Sequence, residues 1–212
     1  MMKTFLPAEV EQGIPGKRSP LPLNPMLYEA DEDPTEQKPY QSLIGGLLFV
    51  ARMTRPEISF HVNLLGRRAT NPSTSNMMAA KGILRYLYWS RSEGIILKKP
   101  RHLELKVFAD ASYGGSEARS QSGVLITLRE QPIGWYSRRQ DVVSLSITEA
   151  EYIADCEGAK DLAWGRQFLK ELRIEASQPP TLVTDSEGAY NLSKTSQFLR
   201  RSRHIEHRYH YI

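Results

Sequence analysis

The sequence predicts an α/β protein: a mixed sheet with a helical crossover, preceded by a small helical subdomain. Three observations predict it. Residues 103–109, 123–128 and 132–137 are apolar stretches that read as strands, and the short connections between them make them antiparallel neighbours. A long helical pattern, residues 146–172, separates them from a further strand at 181–185, and a chain that crosses over through a helix returns parallel. Residues 40–90 carry helical periodicity throughout.

Composition bounds the rest. The chain has 212 residues, 40% hydrophobic and 25% charged, ordinary for one large or two small globular domains. Cys156 is the single cysteine, which excludes an internal disulfide and makes a reducing compartment the default. No apolar run is long enough to span a bilayer, and the residues after Lys3 lack the apolar core of a signal peptide. The formal net charge is +4. Lys and Arg outnumber Asp and Glu 13 to 9 through residue 100; thereafter each sum is 15. Within that neutral second part, Arg200, Arg201, Arg203 and Arg208 crowd together with His204, His207 and His210. Such a cluster suits a polyanion, and reads equally as a solvated tail.

Residues 1–39 hold seven prolines and the acidic run Glu29-Ala30-Asp31-Glu32-Asp33, and read as a disordered linker. Residues 40–92 read as the helical subdomain. Leu43, Leu47, Leu48 and Ala51 share one helix face, and Thr54-Arg55-Pro56 ends that helix. Ile58, Val62 and Leu65 point a second helix inward; Asn71-Pro72-Ser73-Thr74 supplies a loop and an N-cap for a third, residues 76–90. His61 reads as a packed or surface residue. Residues 93–212 read as the α/β domain. It opens on a strand at Ile95-Ile96-Leu97, followed by the run through Leu103, Leu105, Val107 and Ala109 that ends in Asp110. A short helix through Ala189, Tyr190 and Leu192 follows the last strand, and residues 204–212 allow another.

Carboxylates give this domain its chemistry. Ser146 followed by Glu149 is a capping box that starts the long helix, so Glu149 has a structural task. Glu151 lies in the second turn, among small residues, while Asp110 and Asp185 end two strands. If those strands pair, the two aspartates are neighbours and the crossover helix aims Glu151 at the same point. Three carboxylates that close repel unless a cation offsets them, and hard oxygen donors favour Mg²⁺ or Mn²⁺. Two such ions about 3.5–4 Å apart support phosphodiester hydrolysis. Asp155, one turn beyond Glu151, is placed to perturb the site, but reads first as a solvent-facing residue.

The residues also carry a family resemblance. In the helical part it rests on Tyr40-Gln41-Ser42-Leu43-Ile44-Gly45, Thr54-Arg55-Pro56-Glu57-Ile58, Asn71-Pro72 and the stretch from Ala79 to Leu87. In the second part it rests on Ala109-Asp110-Ala111, Ser122-Gly123, Pro132-Ile133-Gly134-Trp135, Ser146 with Thr148-Glu149-Ala150-Glu151-Tyr152, and Thr184-Asp185. It ends on Arg203-His204-Ile205-Glu206 with Arg208-Tyr209-His210-Tyr211-Ile212. From Tyr40 to Ile212 the chain resembles the C-terminal part of a Ty1/copia-type retrotransposon polyprotein: the end of its reverse transcriptase followed by its ribonuclease H domain.

The resemblance implies a ribonuclease H-like sheet and Mg²⁺- or Mn²⁺-dependent cleavage of the RNA strand of an RNA–DNA hybrid. Asp110, Glu151 and Asp185 match the metal-binding carboxylates; Asp110 and Asp185 share one ion, and Glu151 completes a second site. Glu206 is the candidate fourth catalytic carboxylate. Arg138, Arg139, Arg200, Arg201, Arg203 and His204 are candidate nucleic-acid contacts. The polymerase part of the same polyprotein is the implied partner, and the compartment is intracellular, either cytoplasmic within a virus-like particle or nuclear. Ser112 and Ser186 stand where the family commonly has Asp and Asn, and the paired-Asp polymerase motif is absent, so no DNA synthesis is expected. The family pattern continues past Ile212, which implies a fragment or a decayed copy. The alternatives are a catalytically inactive nucleic-acid-binding remnant, a purely structural remnant, and an integrase-like nuclease. The last is disfavoured because Glu151 precedes Asp185.

Overall fold

The computed structural model describes residues 1–7, 19–20, 33–99, 103–115 and 118–194. The chain divides into two compact units, Met1–Ile95 and Ile96–Ile212.

The first unit is helical. Helix α1, Gln37–Met53, begins three residues before the apolar pattern, because Pro39 falls in the first turn, where a missing N–H breaks no helical bond. Tyr40, Leu43, Ile44, Leu47 and Ala51 are buried; Leu48, expected on that face, is half-buried. Thr54 closes the helix, and a 3₁₀ turn, Pro56–Ile58, leads into α2, Ser59–Gly66, which buries His61 with Val62, Leu64 and Leu65. Helix α3, Thr74–Trp89, starts two residues earlier than its periodicity suggests. Ser73 Oγ accepts the Asn76 N–H at 3.2 Å, and Asn76 Oδ1 accepts the Ser73 N–H at 3.1 Å, a complete capping box. Leu6 is buried in the core of these helices, so the head of the stretch read as linker contributes to it.

Arg55 joins the elements of this unit. It is 7% exposed, donates through Nε to Glu57 at 2.5 Å, and bonds the Ser90 hydroxyl and carbonyl at 2.5 and 3.2 Å. Its guanidinium also lies 5.4 Å from the Tyr86 ring centre. Arg55→Ala removes three hydrogen bonds; the Ser90 carbonyl keeps the Glu93 N–H and Glu57 keeps the Tyr86 hydroxyl, so the unit is expected to lose about 1–3 kcal/mol in urea denaturation. Arg55→Lys keeps the charge, loses the fork geometry and recovers part of the loss.

The second unit is the mixed α/β domain. Ile95-Ile96-Leu97 is not a strand: it has no ladder partner among the described residues, and Ile96 and Leu97 are mostly exposed. An apolar run without a neighbour to pair with has no reason to be one. Strands β1, Leu105–Ser112, β2, Gln121–Leu128, and β3, Gln131–Arg139, precede helix α4, Ile147–Glu171. Strand β4, Thr181–Val183, and helix α5, Glu187–Lys194, follow. The sheet order is β3-β2-β1-β4, with β1–β2 and β2–β3 antiparallel and β1–β4 parallel.

Leu105, Val107 and Ala109 alternate with more exposed residues along β1 and pack with Val124, Ile126, Ala154 and Leu169. Glycines let α4 lie close to the sheet. A Cβ at Gly158 would fall 2.9 Å from Leu182 Cδ1 and 3.1 Å from Ala109 Cβ, and one at Gly165 2.9 Å from Leu105 Cδ2. Phe168, in the last turn of α4, and Leu172, its C-cap, are about half exposed. Trp164 stacks on Phe168 with ring centres 5.3 Å apart, so the aromatic pair satisfies itself at the surface.

Candidate metal centre

Three elements deliver one carboxylate each. The parallel register pairs Phe108 with Val183, and Asp110 and Asp185 each lie two residues beyond that pair. The two aspartates therefore leave the sheet side by side. Beyond Val183, β4 no longer covers β1, and Glu151 Oε2 accepts the Ala111 N–H at 3.0 Å. The carboxylate of α4 thus fills the place where the ladder stops. Asp110, Glu151 and Asp185 each place an oxygen within 4.8 Å of the other two.

The start of α4 fixes Glu151. Ser146 Oγ accepts the Glu149 N–H at 3.1 Å, one half of the expected capping box. The Glu149 carboxylate takes the Leu145 N–H at 2.7 Å, one residue ahead of where that motif would send it. Gln140 ties the same helix end to the sheet: its Nε2 donates to Ser122 Oγ at 3.1 Å and to the Ala150 carbonyl at 2.9 Å. Ser186, at the position where the family pattern has Asn, caps α5 by accepting the Ala189 N–H at 3.2 Å.

The electrostatics are one-sided. Glu151 is only 8% exposed, and its carboxyl is pushed up to about 7 by burial, then by Asp110, Asp185 and Asp155; the Ala111 N–H opposes this. No Lys, Arg or His among the described residues makes an ion pair with any of the three. Among the described residues, oxygen-only donors within 4.8 Å of one another and no ion-paired cation fit a hard divalent ion.

A pH dependence follows. Between its ordinary 4.5 and about 7, folded Glu151 holds a proton that the unfolded chain has released. Stability of the metal-free protein therefore falls as pH rises through that window. Calorimetric melting from about pH 5 to about pH 7.5 is expected to show this fall, Glu151→Gln to reduce it to the part below about pH 6 that the raised Asp155 carboxyl contributes, and Mg²⁺ or Mn²⁺ to restore stability mainly at the higher pH.

Asp155 corrects the sequence reading. Sitting one turn after Glu151, it is 2% exposed rather than solvent-facing, and its carboxyl is raised to about 6 by burial and by Asp185 and Asp110, against a hydrogen bond from the Thr184 side chain. The signal was present in the sequence: a spacing of four puts Asp155 on the same helix face as Glu151.

The other candidates fall elsewhere. Arg138 lies on β3 opposite Ser122, is paired with Glu157 at 2.8 Å and sits over the Tyr136 ring. Arg139, the last residue of β3, is exposed. Arg200, Arg201, Arg203, His204 and Glu206, with the helix allowed at 204–212, lie outside the described residues. Among the described residues, no helix is long and apolar enough to cross a membrane.

Fold and site together define a mixed α/β protein with a cluster of three carboxylates that could hold a metal ion. No family model matches the chain. It is 37% identical over 182 residues to the retrovirus-related Pol polyprotein from transposon RE1 of Arabidopsis thaliana, an alignment covering 85% of this chain and 12% of that polyprotein. Against the Pol polyprotein from transposon TNT 1-94 of Nicotiana tabacum it is 36% identical over 176 residues, 82% of this chain and 13% of that one. A shorter relative, the secreted RxLR effector protein 161 of Plasmopara viticola, is 32% identical over 128 residues, 59% of this chain and 90% of its own. The chain belongs to the Ty1/copia-type retrotransposon Pol polyproteins and spans about an eighth of the length of the first two.

Proposed function

We propose that this chain carries the ribonuclease H function of a retrotransposon Pol polyprotein and hydrolyses the RNA strand of RNA–DNA hybrids. The observation that carries the reading is the meeting of Asp110, Glu151 and Asp185 at one point. In this reading, residues 93–212 are the nuclease domain, and residues 40–92 are the end of the reverse transcriptase, joined to residues 1–39 as a lead-in. The chain then belongs toward the C-terminal side of the polyprotein, with its polymerase part as partner. It works inside the cell, in the cytoplasm or nucleus.

Asp110, Glu151 and Asp185 would hold Mg²⁺ or Mn²⁺. Bound there, the ions supply Lewis acidity, making a water more acidic and offsetting phosphate charge. The Ala111 N–H fixes Glu151 Oε2, so this side chain enters the reaction already oriented. Glu151 must lose its proton to act as a ligand, so protonation competes with the metal and apparent metal affinity falls as pH drops below about 7. Arg139, with Arg200, Arg201, Arg203 and His204, would contact phosphates; Arg138 would do so only by sharing its guanidinium with Glu157. Glu206 would add a fourth carboxylate. Discrimination would rest on duplex shape and 2′-hydroxyl contacts, since base edges carry no hybrid signature.

The test is hydrolysis of an end-labelled RNA–DNA hybrid with Mg²⁺, beside single-stranded RNA, duplex RNA and duplex DNA. Cleavage confined to the RNA of the hybrid is expected. Hybrid binding without cleavage would instead identify an inactive nucleic-acid-binding module.

A further inference from the structure

Asp155 has no part in the three-carboxylate cluster, and its burial is hard to explain by stability. A carboxyl taken out of water costs free energy unless its oxygens are bonded, and Asp155 Oδ1 has no hydrogen-bond partner. The side chain does have one bonded neighbour, Thr184. Thr184 immediately precedes Asp185, and its Oγ1 accepts the Ser186 N–H at 3.2 Å. The Thr184 hydroxyl therefore touches the chain on both sides of Asp185: through its own backbone before it, and through the Ser186 amide after it. Asp155 holds that hydroxyl from the helix.

Strand β4 ends at Val183, so no ladder bond fixes Asp185. Asp110 sits inside an eight-residue strand paired along its length with β2, and Glu151 is held by Ala111. Asp185 lies just past a three-residue strand and needs another anchor.

We propose that Asp155 is the positioning residue of the cation site: through Thr184 it fixes Asp185 relative to Glu151, one helical turn away on the same helix. The assignment rests on the reading of Asp110, Glu151 and Asp185 as the cation ligands. The α4 helix then supplies both a ligand and the anchor for the ligand from the strand, so a single rigid element sets the spacing between them. A buried carboxylate hydrogen-bonded behind a ligand is the way second-layer groups orient metal sites.

The experiment is a Mn²⁺ titration by calorimetry on the full chain, without nucleic acid, followed by hybrid-cleavage kinetics. Three variants are compared with the wild type. Asp155→Ala removes the anchor, Thr184→Val removes the hydroxyl at nearly constant volume, and Asp155→Asn keeps an acceptor for it. Asp155→Ala and Thr184→Val are each expected to weaken Mn²⁺ binding roughly 10–100-fold, and the double variant to lose no more than either single one. Asp155→Asn is expected to stay within about threefold of the wild type, because the anchoring bond survives. In cleavage, kcat falls and KM for the hybrid is unchanged. Should Asp155→Ala fail to fold, Asp155→Leu takes its place, because Thr184→Val also removes the bond from the Ser186 N–H; wild-type affinity in Asp155→Leu would overturn the assignment. Wild-type affinity in Thr184→Val, or losses that add in the double variant, would overturn the assignment while leaving the cation site intact. A wild type that binds no Mn²⁺ would overturn both.

Discussion

Asp110→Asn is expected to remove hybrid cleavage by about 10²–10³-fold or more while leaving the fold in place. Asp110 is exposed and near the end of a strand paired along its length, so an isosteric amide perturbs no core contact. Its charge is the second-ranked cause, after burial, of the raised Glu151 carboxyl. Removing that charge relieves like-charge repulsion in the metal-free protein. The variant should therefore melt at the same temperature as the wild type, or slightly above it, at about pH 7.5 without metal, and gain little when Mg²⁺ is added. Loss of function together with unchanged or higher stability is the signature of a ligand set held against its own repulsion. A structural carboxylate would show the opposite, with stability and activity falling together. Melting scans with and without Mg²⁺, run beside the cleavage assay, separate the two.

Gly158→Val is the second large effect, and it acts through packing. A Cβ at Gly158 already approaches Leu182 to 2.9 Å, Ala109 to 3.1 Å and Val107 to 3.3 Å. Two further methyl groups have no room, and α4 must move off the sheet. The expected cost is about 2–3 kcal/mol in chemical denaturation. Because Glu151 and Gly158 lie on the same helix, that movement also draws Glu151 away from Asp110 and Asp185, and Mn²⁺ affinity should drop with stability. Gly158→Ala is a graded control. It gains roughly 0.8–1 kcal/mol of helix propensity against a milder clash, so its net effect should be small.

The fold was legible where the pattern was long or repeated. The three strands, the crossover helix and its Ser146 cap appear in the sequence because alternation and helical spacing persist over many residues. The false strand at Ile95-Ile96-Leu97 shows the limit: apolar content without a neighbour does not make a ladder. The short β2–β3 connection was read, but not its turn conformation. Arg129 and Glu130 both adopt positive φ, 50° and 64°, in a two-residue connection that ordinarily advertises itself with Asn or Gly. At the site, Asp110, Glu151 and Asp185 were readable because the two aspartates each follow an apolar strand pattern and the glutamate follows a cap, although β1 runs on past Asp110 to Ser112 and β4 stops two residues before Asp185. Asp155 was readable only as a neighbour of Glu151 on the same helix face; its burial was not, because the sequence alone cannot say that Thr184 folds back onto it. The glycines of α4 were overlooked for a similar reason, since Ala and Leu carry the apolar pattern while Gly158 and Gly165 set the distance.

The central claim is that Asp110, Glu151 and Asp185 form one divalent-cation site. Calorimetric titration of Mn²⁺ into the wild type and into Glu151→Gln at about pH 8, above the Glu151 transition, tests it most directly. The account predicts saturable binding by the wild type, with heat and affinity largely lost in the variant. Equal titrations for the two proteins, or no binding by either, would contradict it.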